Sequence, residues 1–143
     1  MTLEHLAPLP GNRCFGCGGA NPRGLQLRFE LDHEHRRIRS RLRLSEDFQG
    51  SHRMAHGGII ALLLDEAMGK LNRLHNVRAV TAEMTVEYLR PVPVEEEIEI
   101  VAEEVAREGR NLLQRGEIRG GDGKVLARAR ARFVAIAERE AAS

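Results

Sequence analysis

The chain has 143 residues, a length that suits one domain. Its net charge is +1 with 30% charged residues, so there is no basic field to recruit nucleic acid or an acidic membrane surface. Aromatic residues are 3% of the chain and Trp is missing, so a core must rest on Leu, Ile, Val, Ala and Met.

Residues 1 to about 24 are rich in Pro and Gly and read as an irregular arm. The start, "MTLEHLAPLPGNR", lacks the apolar stretch of a signal peptide, and no apolar run reaches the length of a membrane span. A cytoplasmic protein that engages neither membrane nor nucleic acid is expected. The arm carries "CFGCGG", with Cys14 and Cys17. A C-x-x-C pair can be half of a zinc site, a redox pair, or two small residues in a tight turn. No second pair completes a four-thiolate site, and His5, His33, His35 and His52 are scattered without ligand spacing. The turn reading is preferred, with no metal and no cofactor expected.

"LQLRFEL" (Leu25 to Leu31) alternates as a strand, and "RIRSRLRL" (Arg37 to Leu44) alternates more strictly. Arg37, Arg39, Arg41 and Arg43 share one face of the second, and Ile38, Ser40, Leu42 and Leu44 the other. The polar, Gly-broken "SEDFQGSHRMAHGG" is a loop. From Gly57 to about Leu74 the spacing predicts a helix whose Ile, Leu, Ala and Met side chains occupy nearly every side. Such a helix has to be buried. Four strand-like runs follow: "VTAEMTVEYL", "VEEEIEIVAEEVAR", "NLLQRGEIRG" and "VLARARARFVAI", joined by "RPVP", "EGR" and "GDGK". In the last, Val125, Ala127, Ala129, Ala131 and Phe133 share one face, and Arg128, Arg130 and Arg132 the other. The order is β-β-α-β-β-β-β, an α+β protein in which a largely antiparallel sheet covers one long helix.

The helix begins with Gly57 and Gly58. Its first N–H groups lack intrahelical partners and can hold an anion or a developing oxyanion; equally, the glycines can serve only to permit a sharp turn. Asp65 lies seven residues after Gly58, on a similar side, about 10 Å along the axis. A catalytic carboxylate and oxyanion donors must flank the same reacting group. If both act, each site combines the glycines of one chain with the Asp65 of another, in a symmetric dimer. Asp65 sits among Leu62, Leu63, Leu64 and Met68, an apolar setting that disfavours a charge kept without a role. A hydrogen-bonded carboxylate at a subunit contact is the plainer alternative, and Glu66, about 100° further round, is a rival catalyst. His56, just before the glycines, either positions a carbonyl or bonds to backbone. No G-x-S-x-G, H-E-x-x-H, P-loop or G-x-G-x-x-G motif is present.

Three segments together, "C-x-x-C-G-x-x-N-P-x-G-L-x-L", "F-Q-G…HGGIIALLLDEAMG" and "TAEMTVEYLRPVP", resemble the PaaI-like acyl-CoA thioesterases of the hotdog superfamily, from Cys14 to about Ile136. The resemblance implies a long helix wrapped by a curved antiparallel sheet over residues 25–137, with a tail over 138–143. It implies a homodimer with composite sites, possibly a homotetramer, and hydrolysis of an acyl-CoA to a carboxylic acid and free CoA. It makes Asp65 the nucleophile or general base. Gly57 polarises the thioester carbonyl, His56 places it, and Thr81 orients the water or the carboxylate. Several relatives carry Asn six residues before the motif histidine; here that position is Gly50, beside Gln49. These two, with Gly58, are candidate substrate contacts. Arg90 and Arg110, at strand ends, are candidate partners for CoA phosphates, and taken singly each reads more simply as a solvated surface charge. A non-catalytic acyl-CoA-binding module is the alternative. A hotdog dehydratase would need a second acid–base pair, which is not evident.

Overall fold

Alternating strands with one apolar face need a partner layer, and the apolar helix provides it. In a computed structural model, which describes residues 3–139, that pairing organises the molecule. The strands are β1 (Leu3–Leu6), β2 (Phe29–Asp32), β3 (Arg37–Arg43), β4 (Val77–Tyr88), β5 (Glu97–Glu108), β6 (Asn111–Arg119) and β7 (Val125–Glu138). They form one sheet in the order β1-β2-β3-β5-β6-β7-β4, antiparallel throughout. The single α-helix among the described residues, α1 (Gly57–Lys70), lies between β3 and β4 in the chain and packs on strands β3 to β7. This is the expected α+β arrangement. Residues 1–2 of the arm and 140–143 of the expected tail lie outside the described residues. No helix among the described residues is long and apolar enough to cross a membrane.

Two expectations at the N-terminal side need correction. The arm is not wholly irregular, because Leu3–Leu6 pairs with β2 and extends the sheet by a seventh strand. The strand expected from Leu25 begins only at Phe29. Leu25 and Leu27 give their N–H groups to Phe15 and Gly16 carbonyls (2.8 and 3.0 Å), and Gln26 turns left-handed at φ +48°. The loop holding the two cysteines therefore captures this segment before the sheet can.

Helix α1 is buried along Ile60, Leu63, Leu64, Ala67 and Met68, and the buried run continues into Leu71. Beyond Lys70 the chain tightens into a 3₁₀ turn, Leu71–His75, and stops at Asn76, whose φ of +52° is one that Asn tolerates. The sheet meets the helix with small residues on β7 (Ala127, Ala129 and Ala131, then Phe133), all buried. Leucine-sized helix residues thus face alanine-sized strand residues, and the layers come close. Turns fall where the chain can reverse: Gly109 (φ +62°) and Gly123 (φ +82°) hold left-handed positions between β5 and β6 and between β6 and β7.

Strand β4 does not alternate simply. Its register with β7 skips a residue between Thr81 and Glu83, so Ala82 is bulged. Thr81 points inward before the bulge, and Met84 and Val86 pack on the core after it. Without the extra residue, Glu83 and Glu87 would face the helix and Met84 would face water.

The outer face carries the arginine rows, and each meets glutamates on a neighbouring strand. Arg39 pairs with Glu30 (3.2 Å), Arg41 with Glu99 (3.2 Å) and Arg128 with Glu87 (3.0 Å). A concavity of about 900 Å³ on this face is lined by Glu30, Arg39, Glu87, Glu99 and Arg128, away from the helix N-terminus. Exposed pairs of this kind add little stability each. One ion cluster is better shielded. Glu104 on β5 accepts from Arg36 and meets His75 at the helix end. The Arg36 guanidinium foremost, then His75, holds the Glu104 carboxyl below its ordinary value of 4.5, against the opposing effect of burial.

A depressed carboxylate contributes stability above its unfolded value and loses it as pH falls through the folded one. Glu104→Gln should therefore lower stability at neutral pH by roughly 1–3 kcal/mol. The gap to the unmodified chain should shrink below about pH 4.5. Urea unfolding across that window reads both effects; a gap independent of pH would contradict the assignment.

Candidate active site

The loop before α1 sets the helix start. His56 donates its N–H to the Phe48 carbonyl (2.9 Å), and Ala55 donates to Val92 (2.8 Å). Within the loop, Gly50 donates to Met54 (2.8 Å), and the Gln49 side chain accepts from the Arg53 N–H (2.9 Å). Gly50 presses on His56: a Cβ there would lie 3.0 Å from the His56 Cα. A larger residue at position 50 would have to push the histidine backbone away. That is a steric reason for glycine at this position.

His56 is the N-cap. Its Nδ1 accepts from the Gly58 N–H (2.9 Å), and its carbonyl takes the N–H groups of Ile59 and Ile60. With Nδ1 accepting, the neutral ring carries its proton on Nε2, which is then a donor. The Gly57 N–H finds no acceptor among the described residues. The two-glycine start is thus resolved unequally: Gly58 is capped, while Gly57 retains a free donor next to the imidazole. Gly57 and His56 border a cleft of about 570 Å³ lined also by Gly50, Ile60, Tyr88 and Arg90. Tyr88 was not anticipated. Its hydroxyl donates to the Gly57 carbonyl (3.0 Å), tying the end of β4 to the first turn of the helix. The only signal was that it is the single tyrosine of the chain, beside Arg90 in "EYLRP".

Asp65 leaves α1 on the flank facing β4. Its Oδ1 accepts from the Thr81 hydroxyl at 2.7 Å. The bulge after Thr81 allows this bond, and the carboxylate keeps its second oxygen for other work. Asp65 is half-buried and does not line the cleft at His56. Eight residues separate it from Gly57, about 12 Å along the axis. One chain therefore brings together His56, Gly57, Gly50 and Arg90, and separately Asp65 and Thr81, but not the two groups with each other. Arg110 touches neither group. It bonds to Ala135 through its Nε (3.1 Å), two residues along β7 from Phe133, the partner of Thr81.

Glu66 leaves the helix on another flank, where the cysteine loop covers it. The Cys14 thiol lies 3.4 Å from Glu66 Oε1. Burial first, and the Glu66 charge next, push the Cys17 thiol up to about 11. The two adjacent carboxylates of the apolar helix thus meet different surroundings: a hydroxyl for Asp65 and two thiols for Glu66.

A family model, the thioesterase superfamily, matches residues 52–127, and the chain belongs to that superfamily. The sheet and helix are those of its hotdog fold. A crystal structure of a thioesterase superfamily protein is similar over 85% of this chain at 28% identity, with a TM-score of 0.79; this chain spans 60% of the length of that one. A hypothetical thioesterase from Streptococcus pneumoniae TIGR4, crystallised with coenzyme A, is similar at 17% identity and a TM-score of 0.70 over 73% of this chain and 84% of its own. Variants of that protein with a threonine or an aspartate replaced by alanine match as well. The E. coli PaaI protein from the phenylacetic acid degradation operon is similar at 19% identity and a TM-score of 0.69 over 73% of this chain and 76% of its own. No curated protein matches the chain.

Replacing the cap tests the local architecture apart from any chemistry. His56→Ala leaves the Gly58 N–H without its acceptor and should cost about 0.5–2 kcal/mol in urea unfolding. An unchanged midpoint would mean that water satisfies that N–H equally well.

Proposed function

We propose that the protein is an acyl-CoA thioesterase working as a homodimer, with each active site shared between two protomers. The observation that carries the reading is the division of the helix. Two carbonyl-binding donors, the Gly57 N–H and His56 Nε2–H, stand at its start, and a hydroxyl-supported carboxylate, Asp65, stands about 12 Å away. A second copy related by a two-fold axis supplies the missing half to each site. Strand β4 suits that contact: it is an unpaired sheet edge of 12 residues on which Val80, Tyr88 and the adjoining Leu89 are about half exposed. Pairs of such dimers forming a tetramer is the larger assembly considered.

The reaction follows from these groups. The thioester carbonyl accepts from Gly57 and His56 of one subunit, which stabilise the negative charge that develops on oxygen. Asp65 of the other attacks the carbonyl carbon or takes a proton from the attacking water. The Thr81 hydroxyl holds Oδ1 and orients the working oxygen. The carbon–sulfur bond breaks, the CoA thiolate takes a proton, and water supplies the oxygen of the acid. Gln49 and Gly50 shape the loop beneath the carbonyl site. Arg90 at the cleft and Arg110 beside Ala135 are the cations offered to CoA phosphates. The bound coenzyme A in the pneumococcal relative supports this substrate class. So do its two variants, whose aspartate and threonine stand sixteen residues apart, as Asp65 and Thr81 do. The catalytic domain proposed over residues 25–137 has its sheet extended by β1 (Leu3–Leu6) of the arm and by the last residue of β7, Glu138.

Free-thiol release measured over short, long and aromatic acyl-CoAs tests the activity. Asp65→Ala and Asp65→Asn should each lower kcat by at least about 100-fold. Wild-type turnover in both would refute the assigned chemistry, and tight binding of CoA esters without turnover in the unmodified chain would favour the binding-module reading.

Sharing of the site has its own test. Gly57→Pro removes the N–H at a helix position that accepts proline, after a residue already extended at ψ 138°. It should be folded and about 100-fold slower. Co-expressed with Asp65→Ala, it should regain activity, because each mixed dimer rebuilds one intact site. Failure of mixed dimers to recover turnover would place both groups in one chain.

A further inference from the structure

The thioesterase reading leaves one cluster unused: Cys14, Cys17 and Glu66. Their two sulfurs and one carboxylate oxygen all lie within 4.8 Å of one another. Around a tetrahedral zinc ion, with Zn–S about 2.3 Å and Zn–O about 2.0–2.2 Å, such atoms stand roughly 3.6–3.8 Å apart. Cys14 and Glu66 are already at 3.4 Å, so closing the set requires side-chain shifts of about 1 Å or less at the third atom. Neither cysteine is in a disulfide.

The backbone is built to bring this loop onto the helix. At Gly16, between the cysteines, a Cβ would fall 2.3 Å from the Glu66 Cγ, so only glycine permits the approach. The loop is held there from both sides. Asn12 caps the Cys14 N–H (2.7 Å), Gly18 bonds back to the Cys14 carbonyl (2.9 Å), and Leu25 and Leu27 bond to Phe15 and Gly16. These bonds hold both sulfurs beside the Glu66 carboxylate. Ionised together, the three groups bring up to three negative charges to a partly buried spot, and Lys70, one turn along the helix and beside Cys17, offsets one.

We propose that Cys14, Cys17 and Glu66 bind one divalent cation of the zinc class, with solvent as the fourth ligand. Each coordinating thiol gives its proton to solvent as the sulfur–metal bond forms. Neither a second cysteine pair nor a spaced histidine accompanies Cys14 and Cys17 in the sequence, so the motif there reads as a plain turn. The third ligand is instead a glutamate 49 residues after Cys17 in the chain, carried by the helix. The ion would staple the N-terminal loop to the middle of α1, one residue from Asp65.

The full-length chain, reduced and stripped with chelator, is titrated with Co²⁺ as a spectroscopic stand-in for Zn²⁺. One equivalent should bind, with a thiolate-to-cobalt charge-transfer band in the near ultraviolet that Zn²⁺ then removes. In competition with a chromophoric chelator, Cys14→Ser should weaken Zn²⁺ at least 100-fold and Glu66→Gln at least 10-fold, both roughly. Zn²⁺ should raise the Tm of the unmodified chain and leave that of Cys14→Ser unmoved. A reduced wild-type chain that gives no charge-transfer band, or a Cys14→Ser variant of unchanged affinity, overturns the proposal. Unchanged affinity in Glu66→Gln removes the carboxylate from the site and overturns it equally. Thioester hydrolysis is not the readout, so failure of the Asp65 assignment leaves this result standing.

Discussion

A helix that is apolar on nearly every side has to be covered on every side, and one sheet reaches only part of its circumference. That constraint organises the molecule. The sheet takes the face of Ile60, Leu63, Leu64, Ala67 and Met68, which is buried. The cysteine loop takes the flank of Glu66, pressing so close that Gly16 has no room for a side chain. On the flank of Asp65 the hydrogen-bond partner is Thr81, on the edge strand β4. A partly covered flank beside an unpaired strand edge is what a second copy would complete, and there the proposed active site falls.

The two carboxylates show how one helix divides its work. They are adjacent in sequence and therefore about 100° apart around the axis. Asp65 receives one hydroxyl hydrogen bond and keeps an oxygen free. Glu66 faces thiols, one of which its charge helps to hold protonated. Neither is a charge stranded in the core, because both stand at the border between the helix and an element that covers it. An apolar helix can carry charges in its middle when its neighbours meet it along seams.

The helix start shows a similar economy. Free N–H groups at a helix N-terminus can bind an anion, but a chain that also needs a cap must use some of them. Here His56 takes the Gly58 N–H, which fixes the ring and leaves its other nitrogen a donor, while Gly57 stays free. Tyr88 then ties the Gly57 carbonyl to the end of β4, so the donor pair is held by the same strand that supports Asp65 through Thr81.

Local periodicity was enough to read the helix, β3 and β5 to β7, because each has a mainly apolar inner face and each turn has residues suited to reversal. The alternating Ala and Arg of β7 fell where expected, and so did the Arg and Ile of β3. The spacing of Gly57 and Asp65 alone showed that one helix could not unite them. What the sequence could not reveal depended on residues distant in the chain. The Ala82 bulge is set by pairing with β7, and it decides which side of β4 faces the core. The late start of β2 depends on carbonyls of the cysteine loop, and β1 has too few residues to show a period. The closeness of Glu66 to Cys14 and Cys17 has no local signature either. It arises because burying the helix folds the arm across it, and only that packing turns a loop motif and a helix residue into neighbours.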